Sequence, residues 1–412
     1  MNNFQKSDVI QLQSSTLPEG WHLVRFGDVA KKVSTIIDRN NCELDRFIAG
    51  EHMQTDDFRI KEWGIIDEGY LGPAFNHKFT KGQILYGSRR TYLRKVSIPH
   101  FDGICANTTF VIEPQGNDLI PDLLPFVMQS AGFTEHSIKM SKGSTNPYIN
   151  WKDIACYEFA VPDKDRQRRI ATTLWAAEDC IVKGERFVKA VERIKKILVK
   201  KVFTEGINHS KFAQFADIGK IPTDWNIVRL EETSKAIIVP MRDKPKKFDG
   251  SIPWCRLEDF VGKYLYKSKS GQNVDADTIS EMNLKVFPTG TLICACSAIL
   301  GVCAIAGNPL VTNQRFIGIV PNDSLDSEFL YYLLDYYTPR LLAQSTGTIF
   351  CNIPRKNFED FKIPLPPLLE QRQIAAILTH CDETIAAARV NVEATKALKM
   401  RLINEMLIPK RK

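Results

Sequence analysis

The sequence predicts an α+β fold: two pseudo-twofold-related α/β domains at opposite ends of an antiparallel two-helix coiled coil. Three observations predict it: a repeat with a constant offset of 204 residues, strand-like segments leading each copy, and a heptad seam closing each copy. With 412 residues the chain has material for roughly two to three domains. Its 44% hydrophobic and 25% charged content, with Gly 23 and Pro 21, is that of an ordinary globular protein and excludes disordered, collagen-like and low-complexity classes.

The repeat comes first, because a missed repeat mis-assigns everything built on it. LPEGWHLVRFGDV (17–29) aligns with IPTDWNIVRLEET (221–233), matching Pro18 with Pro222, Trp21 with Trp225, Val24 with Val228 and Arg25 with Arg229. AVPDKDRQRRIATTL (160–174) aligns at the same offset with PLPPLLEQRQIAAIL (364–378), matching Gln167 with Gln371 and Arg168 with Arg372. Between these ends KGQILYGSRRTYLRKV (81–96) corresponds only loosely to TGTLICACSAILGVCA (289–304), so one frame carries two different surfaces.

Within each copy the order is strands, then a helix, then an extended closing piece. QILYG, CANTTFVIEP, TLICACS and RFIGIV are short, β-branched or aromatic-rich and bounded by Gly, Pro or Asn, as strands are. DLLPFVMQSA and SEFLYYLLDYY read as one helix per copy, followed by the Pro-closed pieces YEFAVP and FKIPLPP. After these the hydrophobic period changes from two to about three and a half. The first domain is therefore placed at 1–162, its long helix at 163–208, the second domain at 209–366 and its helix at 367–412.

Both long helices carry an unbroken 4,3 seam. In the first it runs through Ile170, Leu174, Ala177, Ile181, Gly184, Val188, Val191, Lys195, Leu198 and Val202. In the second it runs through Ile374, Leu378, Cys381, Ile385, Ala388, Val392, Thr395, Lys399, Leu402 and Met406. A parallel pair in register would set Lys195 against Lys399 and Gly184 against Ala388, opposing like charges and leaving voids. An antiparallel pair sets Lys195 against Cys381, Lys399 against Ala177 and Gly184 against Val392, with large facing small. The chain's connectivity asks for the same orientation.

Catalytic groups are not legible. No two glycines are spaced G-x-G and no phosphate-cradling Gly-Lys-Ser/Thr follows the glycine pairs Gly64/Gly69 or Gly82/Gly87. Asn146-Pro147-Tyr148 lacks the second proline of an amino-methyltransferase signature, Asp360-Phe361-Lys362 sits in an apolar strand, and no HExxH occurs. The ten cysteines contain no CxxC, so a zinc ribbon or disulfide scaffold is not expected; Cys294, Cys296 and Cys303 read as small apolar filler and no metal site is expected. The apolar stretch TLICACSAILGVCAIA is too short for a membrane span and reads as a hairpin. MNNFQKSDVIQLQSS lacks the apolar core of a secretory signal, and a cytoplasmic location is expected.

What remains is polar surface. The net charge of +7 permits a polyanionic partner. Arg89, Arg90, Thr91, Tyr92, Arg94 and Lys95 form a basic and aromatic loop that could neutralise phosphates and reach base edges. The glycine turn with Lys142, Ser144, Thr145 and Asn146, and its counterpart with Thr346 and Thr348, could approach a backbone closely. In the second copy the hairpin matching the basic loop is uncharged, which moves polar readout to Asn313, Gln314 and Arg315. Residues 164–201 hold twelve Lys or Arg against five Asp or Glu, so the first long helix is itself cationic.

The pattern resembles the specificity subunit of Type I restriction–modification systems over nearly the whole chain, from Leu17 to about Met406. The marks that carry the resemblance are the repeated Pro-x-x-Trp-x-x-Val-Arg opening, the polar turn Gly347-Thr348 before Ile353, and IPLPPLLEQRQIAAIL; the first copy departs from the last with Asp163 and Arg166. The resemblance implies a non-catalytic subunit whose two target-recognition domains each read half of a bipartite, asymmetric site in double-stranded DNA, with the helices fixing the spacing. It also implies docking of methyltransferase subunits, two of them by expectation, and of nuclease-translocase subunits. S-adenosylmethionine, ATP and Mg would belong to those partners, with no cofactor bound by this chain. An autonomous methyltransferase or nuclease, and a scaffold that does not bind DNA, are the alternatives.

Overall fold

The computed structural model describes residues 17–38, 43–66, 71–240, 244–296, 301–343 and 353–409. The chain forms two compact units, Met1–Glu185 with Arg389–Lys412, and Arg186–Ala388. Each unit thus combines a sheet-rich part with a portion of both long helices.

In the first unit the opening strand Trp21–Arg25 pairs antiparallel with the closing strand Glu158–Pro162, Trp21 opposite Pro162. Between them lie a four-stranded sheet, with Thr109–Pro114 flanked by Ala30–Val33 and Ile84–Gly87, and a five-stranded sheet centred on Gly103–Ala106. The segment CANTTFVIEP, expected as one strand, is therefore two: it turns at Asn107 and Thr108 and contributes to both sheets. The helix expected at DLLPFVMQSA is likewise broken. Leu124–Gln129 stops at Ser130, whose extended backbone and hydroxyl cap a new helix, Ala131–Lys139, by accepting from the Phe133 amide. Phe26, Tyr86, Phe126 and Phe133 fill the core together with Ile170, Leu174 and Ile403 of the long helices.

The second unit repeats the frame. Asn226–Arg229 pairs with Lys362–Leu365, and a five-stranded sheet runs Ser234–Ile238, Phe316–Pro321, Leu292–Ala295, Cys303–Ala306, Tyr264–Leu265. Leu292–Ala295 and Cys303–Ala306 are antiparallel neighbours, so the apolar stretch is the hairpin the sequence suggested. Among the described residues no helix is long and apolar enough to cross a membrane. Here the helix after the sheet is single, Ser327–Leu342, with Asp326 capping it through the Glu328 and Phe329 amides.

The matched glutamines explain the repeated closing motif. Gln167 Nε2 donates to the carbonyls of Pro162 and Asp118, and its Oε1 accepts from the Ile120 amide. Gln371 does the same with Pro366, Ser324 and Asp326. Both are fully buried, so each ties a closing strand to the loop that enters the helical layer. The two departures in the first copy are also accounted for. Asp163 Oδ1 accepts from the Arg166 amide at 2.9 Å and caps the helix. Arg166 lies 5.2 Å over the Trp21 ring, whereas its counterpart Glu370 accepts from the Trp225 indole, the Ile207 amide and His209.

The long helices span Lys164–Glu205 and Leu368–Met406. Every seam position is buried or half-buried. Their pairing is antiparallel within each unit. In the first, a Cβ added at Gly184 would come within 2.6 Å of Val392, and Lys399 Nζ lies 2.9 Å from Glu178 Oε2. In the second, Lys195 Nζ lies 2.5 Å from Asp382 Oδ1. The heptad register faces these lysines to Ala177 and Cys381, and their long side chains reach one residue further to carboxylates. Those carboxylates are themselves 204 residues apart, so the ion pair is part of the repeat. At its end the second seam also shifts: Ile403 is fully buried while Leu402 is only half-buried.

Candidate nucleic-acid interface

In the first unit a composite surface forms where the chain leaves the sheet after Gly87. Ser88 donates to the Thr108 carbonyl and accepts from the Ile149 amide, which brings the basic loop beside the glycine turn some fifty residues later in the chain. Three further contacts stitch them together: an isolated bridge between Arg89 and Tyr148, a 2.7 Å hydrogen bond from the Arg90 amide to the Pro147 carbonyl, and a 3.1 Å hydrogen bond between the Thr91 and Ser141 hydroxyls. The turn itself is closed by reciprocal backbone bonds between Lys142 and Tyr148, with Gly143 at φ +86°, a conformation that suits glycine.

The outcome is a joint exposed surface of Arg89, Arg90, Tyr92, Lys142, Ser144, Thr145 and Asn146. Tyr148, named in the sequence only within the incomplete Asn146-Pro147-Tyr148 signature, joins it with 43% exposure; an exposed aromatic beside arginines is the signal that could have found it. Lys142 also lies 3.4 Å from Asp153, a loose pair at the edge.

Three residues of the basic loop face the protein instead. Thr91 is buried against Ser141. Arg94 forks onto both carboxylate oxygens of Asp56, and that hydrogen bond holds its guanidinium further above its usual pKa. Lys95 donates to the Gly50 carbonyl, and burial, with Arg90 nearby, lowers its pKa. Arg94 is therefore a structural arginine: it anchors the loop and leaves Arg89 and Arg90 outward. Arg90 and Arg94 both take left-handed backbone, at φ 51° and 45°, on either side of the 3-10 turn Thr91–Leu93. Such conformations are sparsely populated for residues with a side chain, and here the Arg90–Pro147 and Arg94–Thr91 backbone bonds hold them.

The second unit preserves the frame under different residues. Cys296 takes the place of Ser88: its amide donates to the Arg315 carbonyl and its carbonyl accepts from the Ile353 amide. Asn313, Gln314 and Arg315 thus occupy the turn matching Asn107 and Thr108, with Asn313 Oδ1 accepting from the Arg315 amide and Gln314 and Arg315 exposed. Asn313 and Arg315 border a small cavity together with Arg256, which no sequence pattern singles out because it lies in a distant segment. Thr346 and Thr348 lie outside the described residues. Among the described residues no His, Cys, Asp and Glu group could hold a metal ion.

Comparison with known proteins agrees with the repeat. The profile of the Type I restriction modification DNA specificity domain matches residues 18–186 and again 222–394. The MjaIX specificity subunit of Methanocaldococcus jannaschii is 32% identical over 197 residues, an alignment covering 47% of this chain and 46% of that one. The putative MjaX specificity subunit of the same organism is 24% identical over 99% of this chain and 96% of its own length. Among solved structures, a chain from a study of complex assembly and conformational transition of the type I R-M system aligns with a TM-score of 0.61 at 22% identity, covering 95% of this chain and 98% of that one. The type I restriction-modification S subunit from M. genitalium aligns with a TM-score of 0.55 at 13% identity, covering 98% and 99%. The last two establish likeness of fold.

Proposed function

The chain belongs to the family of the type I restriction–modification DNA specificity domain, which it carries twice, and from that premise we propose that each domain reads one half of a bipartite, asymmetric site in double-stranded DNA. Its role is recognition; catalysis belongs to partner subunits. The observation that carries the reading is the joining of the 88–92 loop and the 142–148 turn into one exposed surface holding Arg89, Arg90, Tyr92, Lys142 and Asn146. Guanidinium forks can bind two acceptors on guanine or a phosphate, and asparagine can pair with adenine in the major groove. Lys142 and the hydroxyls of Ser144 and Thr145 suit phosphate contacts that fix register. In the second domain Asn313, Gln314 and Arg315 take the base-reading role.

The long helices set the separation of the two half-sites and provide the docking surface for two methyltransferase subunits, with nuclease-translocase subunits joining that assembly in the cytoplasm. Continuous helices of 42 and 39 residues support this, since each extends for about 60 Å at 1.5 Å per residue. S-adenosylmethionine, ATP and Mg are assigned to those subunits.

The test is the Arg89→Ala/Arg90→Ala double variant, assembled with its methyltransferase subunits and read by mapping methylated sites. Relaxation confined to one half-site is expected, with a cost of about 1–3 kcal/mol per guanine-reading arginine. An unchanged pattern, or equal change in both halves, would overturn the assignment.

A further inference from the structure

We propose that Cys294 and Cys303 are a modification site: a vicinal dithiol that low-molecular-weight disulfides convert to an intramolecular cross-strand disulfide. The two residues stand directly opposite each other on the antiparallel strands Leu292–Ala295 and Cys303–Ala306, in the register Leu292 to Ile305, Ile293 to Ala304, Cys294 to Cys303. The Ala295 amide donates to the Val302 carbonyl, which makes 295 and 302 a hydrogen-bonded pair. By the alternation of an antiparallel ladder the next pair, 294 and 303, is a non-hydrogen-bonded one, where Cα atoms approach to about 4.5 Å. That lies within the range a disulfide spans, roughly 4.4–6.8 Å, so the bond can close without moving either strand far. The Cys303 thiol points at Cys294 Sγ, 2.7 Å away.

The frame does not ask for sulfur here. In the first copy the matching strand carries Tyr86 opposite Val96, an ordinary aromatic and β-branched pair. The third cysteine is turned elsewhere, since Cys296 Sγ points to the Gln314 carbonyl at 3.9 Å. Cys294 is buried and Cys303 half-buried, and burial together with its neighbour pushes the Cys294 thiol well above its usual pKa. The first attack therefore falls to Cys303. Its thiolate attacks one sulfur of the small disulfide, forming a mixed disulfide and releasing one thiolate. Cys294 then gives up its proton as its sulfur attacks Cys303 Sγ, and the second small thiol leaves. Two protein thiols are oxidised and one small disulfide is reduced to two thiols.

The experiment uses the full chain, reduced and desalted, then exposed to oxidised glutathione, acid-quenched, denatured and alkylated before peptide mapping by mass spectrometry. The exposed Cys156 and Cys180 should carry glutathione adducts and serve as the internal control. The peptide spanning 286–315 should lose two alkylatable thiols without gaining an adduct, and a second protease should place the link between 294 and 303. Cys294→Ser should leave a stable glutathione adduct on Cys303. Retention of all three thiols in the wild-type peptide, a stable adduct on wild-type Cys303, or a link through Cys296 would each overturn the proposal.

Discussion

The repeated ion pair of the long helices offers a controlled comparison, because the same lysine sits in two environments. Lys399 is 1% exposed and Glu178 5%; Lys399 Nζ donates to Glu178 at 2.9 Å and to the Asp56 carbonyl at 3.0 Å. The counterpart Lys195 is half-buried, and its partner Asp382 keeps a 2.8 Å hydrogen bond from the Tyr332 hydroxyl. Lys399→Met strands a buried carboxylate and removes a donor from Asp56. Breaking a buried pair from one side costs about 3–5 kcal/mol. Arg59 Nε, 3.9 Å from Glu178, remains as a distant cation and places the expected cost near the lower end. Lys195→Met breaks a partly solvated pair, for which about 0–1 kcal/mol is expected.

Native-state hydrogen exchange on peptides from 170–185 and from 190–205 reads the two sites separately. A loss of about 3 kcal/mol speeds exchange by roughly a hundredfold in the first peptide, while Lys195→Met should change the second by less than about tenfold. Glu178→Leu added to Lys399→Met should recover most of the loss, since an apolar pair carries no stranded charge. Equal effects of the two lysine variants, or a double variant worse than the single one, would refute the reasoning.

Gln371→Ala should strand the Asp326 amide and two carbonyls in the second unit, costing about 1–3 kcal/mol per buried unpaired group, and thermal melting should show the loss. Arg94→Ala should destabilise the 88–95 loop through Asp56, speeding its hydrogen exchange, and should weaken one half-site without changing which bases are preferred there; methylated-site mapping checks the second point. Inserting one heptad at matched places in both long helices keeps the seam and adds about 10 Å at 1.5 Å per residue, close to three base pairs at roughly 3.4 Å each. The spacer between methylated half-sites should lengthen accordingly, and an unchanged spacer with retained activity would show that the helices do not set it.

What could be read from the sequence was whatever repeats. The 204-residue offset, the 4,3 seam and the Pro-closed strands are periodic or duplicated patterns, and such patterns specify local structure and the face each element buries. The antiparallel orientation was legible for the same reason: the size and charge of ten seam residues already decide which layers can face each other, as Gly184 against Val392 bears out. Tertiary structure decided the partner of each polar side chain. Arg94 and Arg90 are alike in sequence, yet one is held by Asp56 and the other left outward, because Asp56 comes from a loop that only folding brings near. Glu178 and Asp382 completed the seam lysines in the same way. The 142–148 turn likewise meets the basic loop through the Ile149 amide on the Ser88 carbonyl and the Arg90 amide on the Pro147 carbonyl, bonds that no local pattern encodes. Hydrophobic period is a property of neighbours along the chain, whereas a charged group's environment is set by whatever segment arrives across from it.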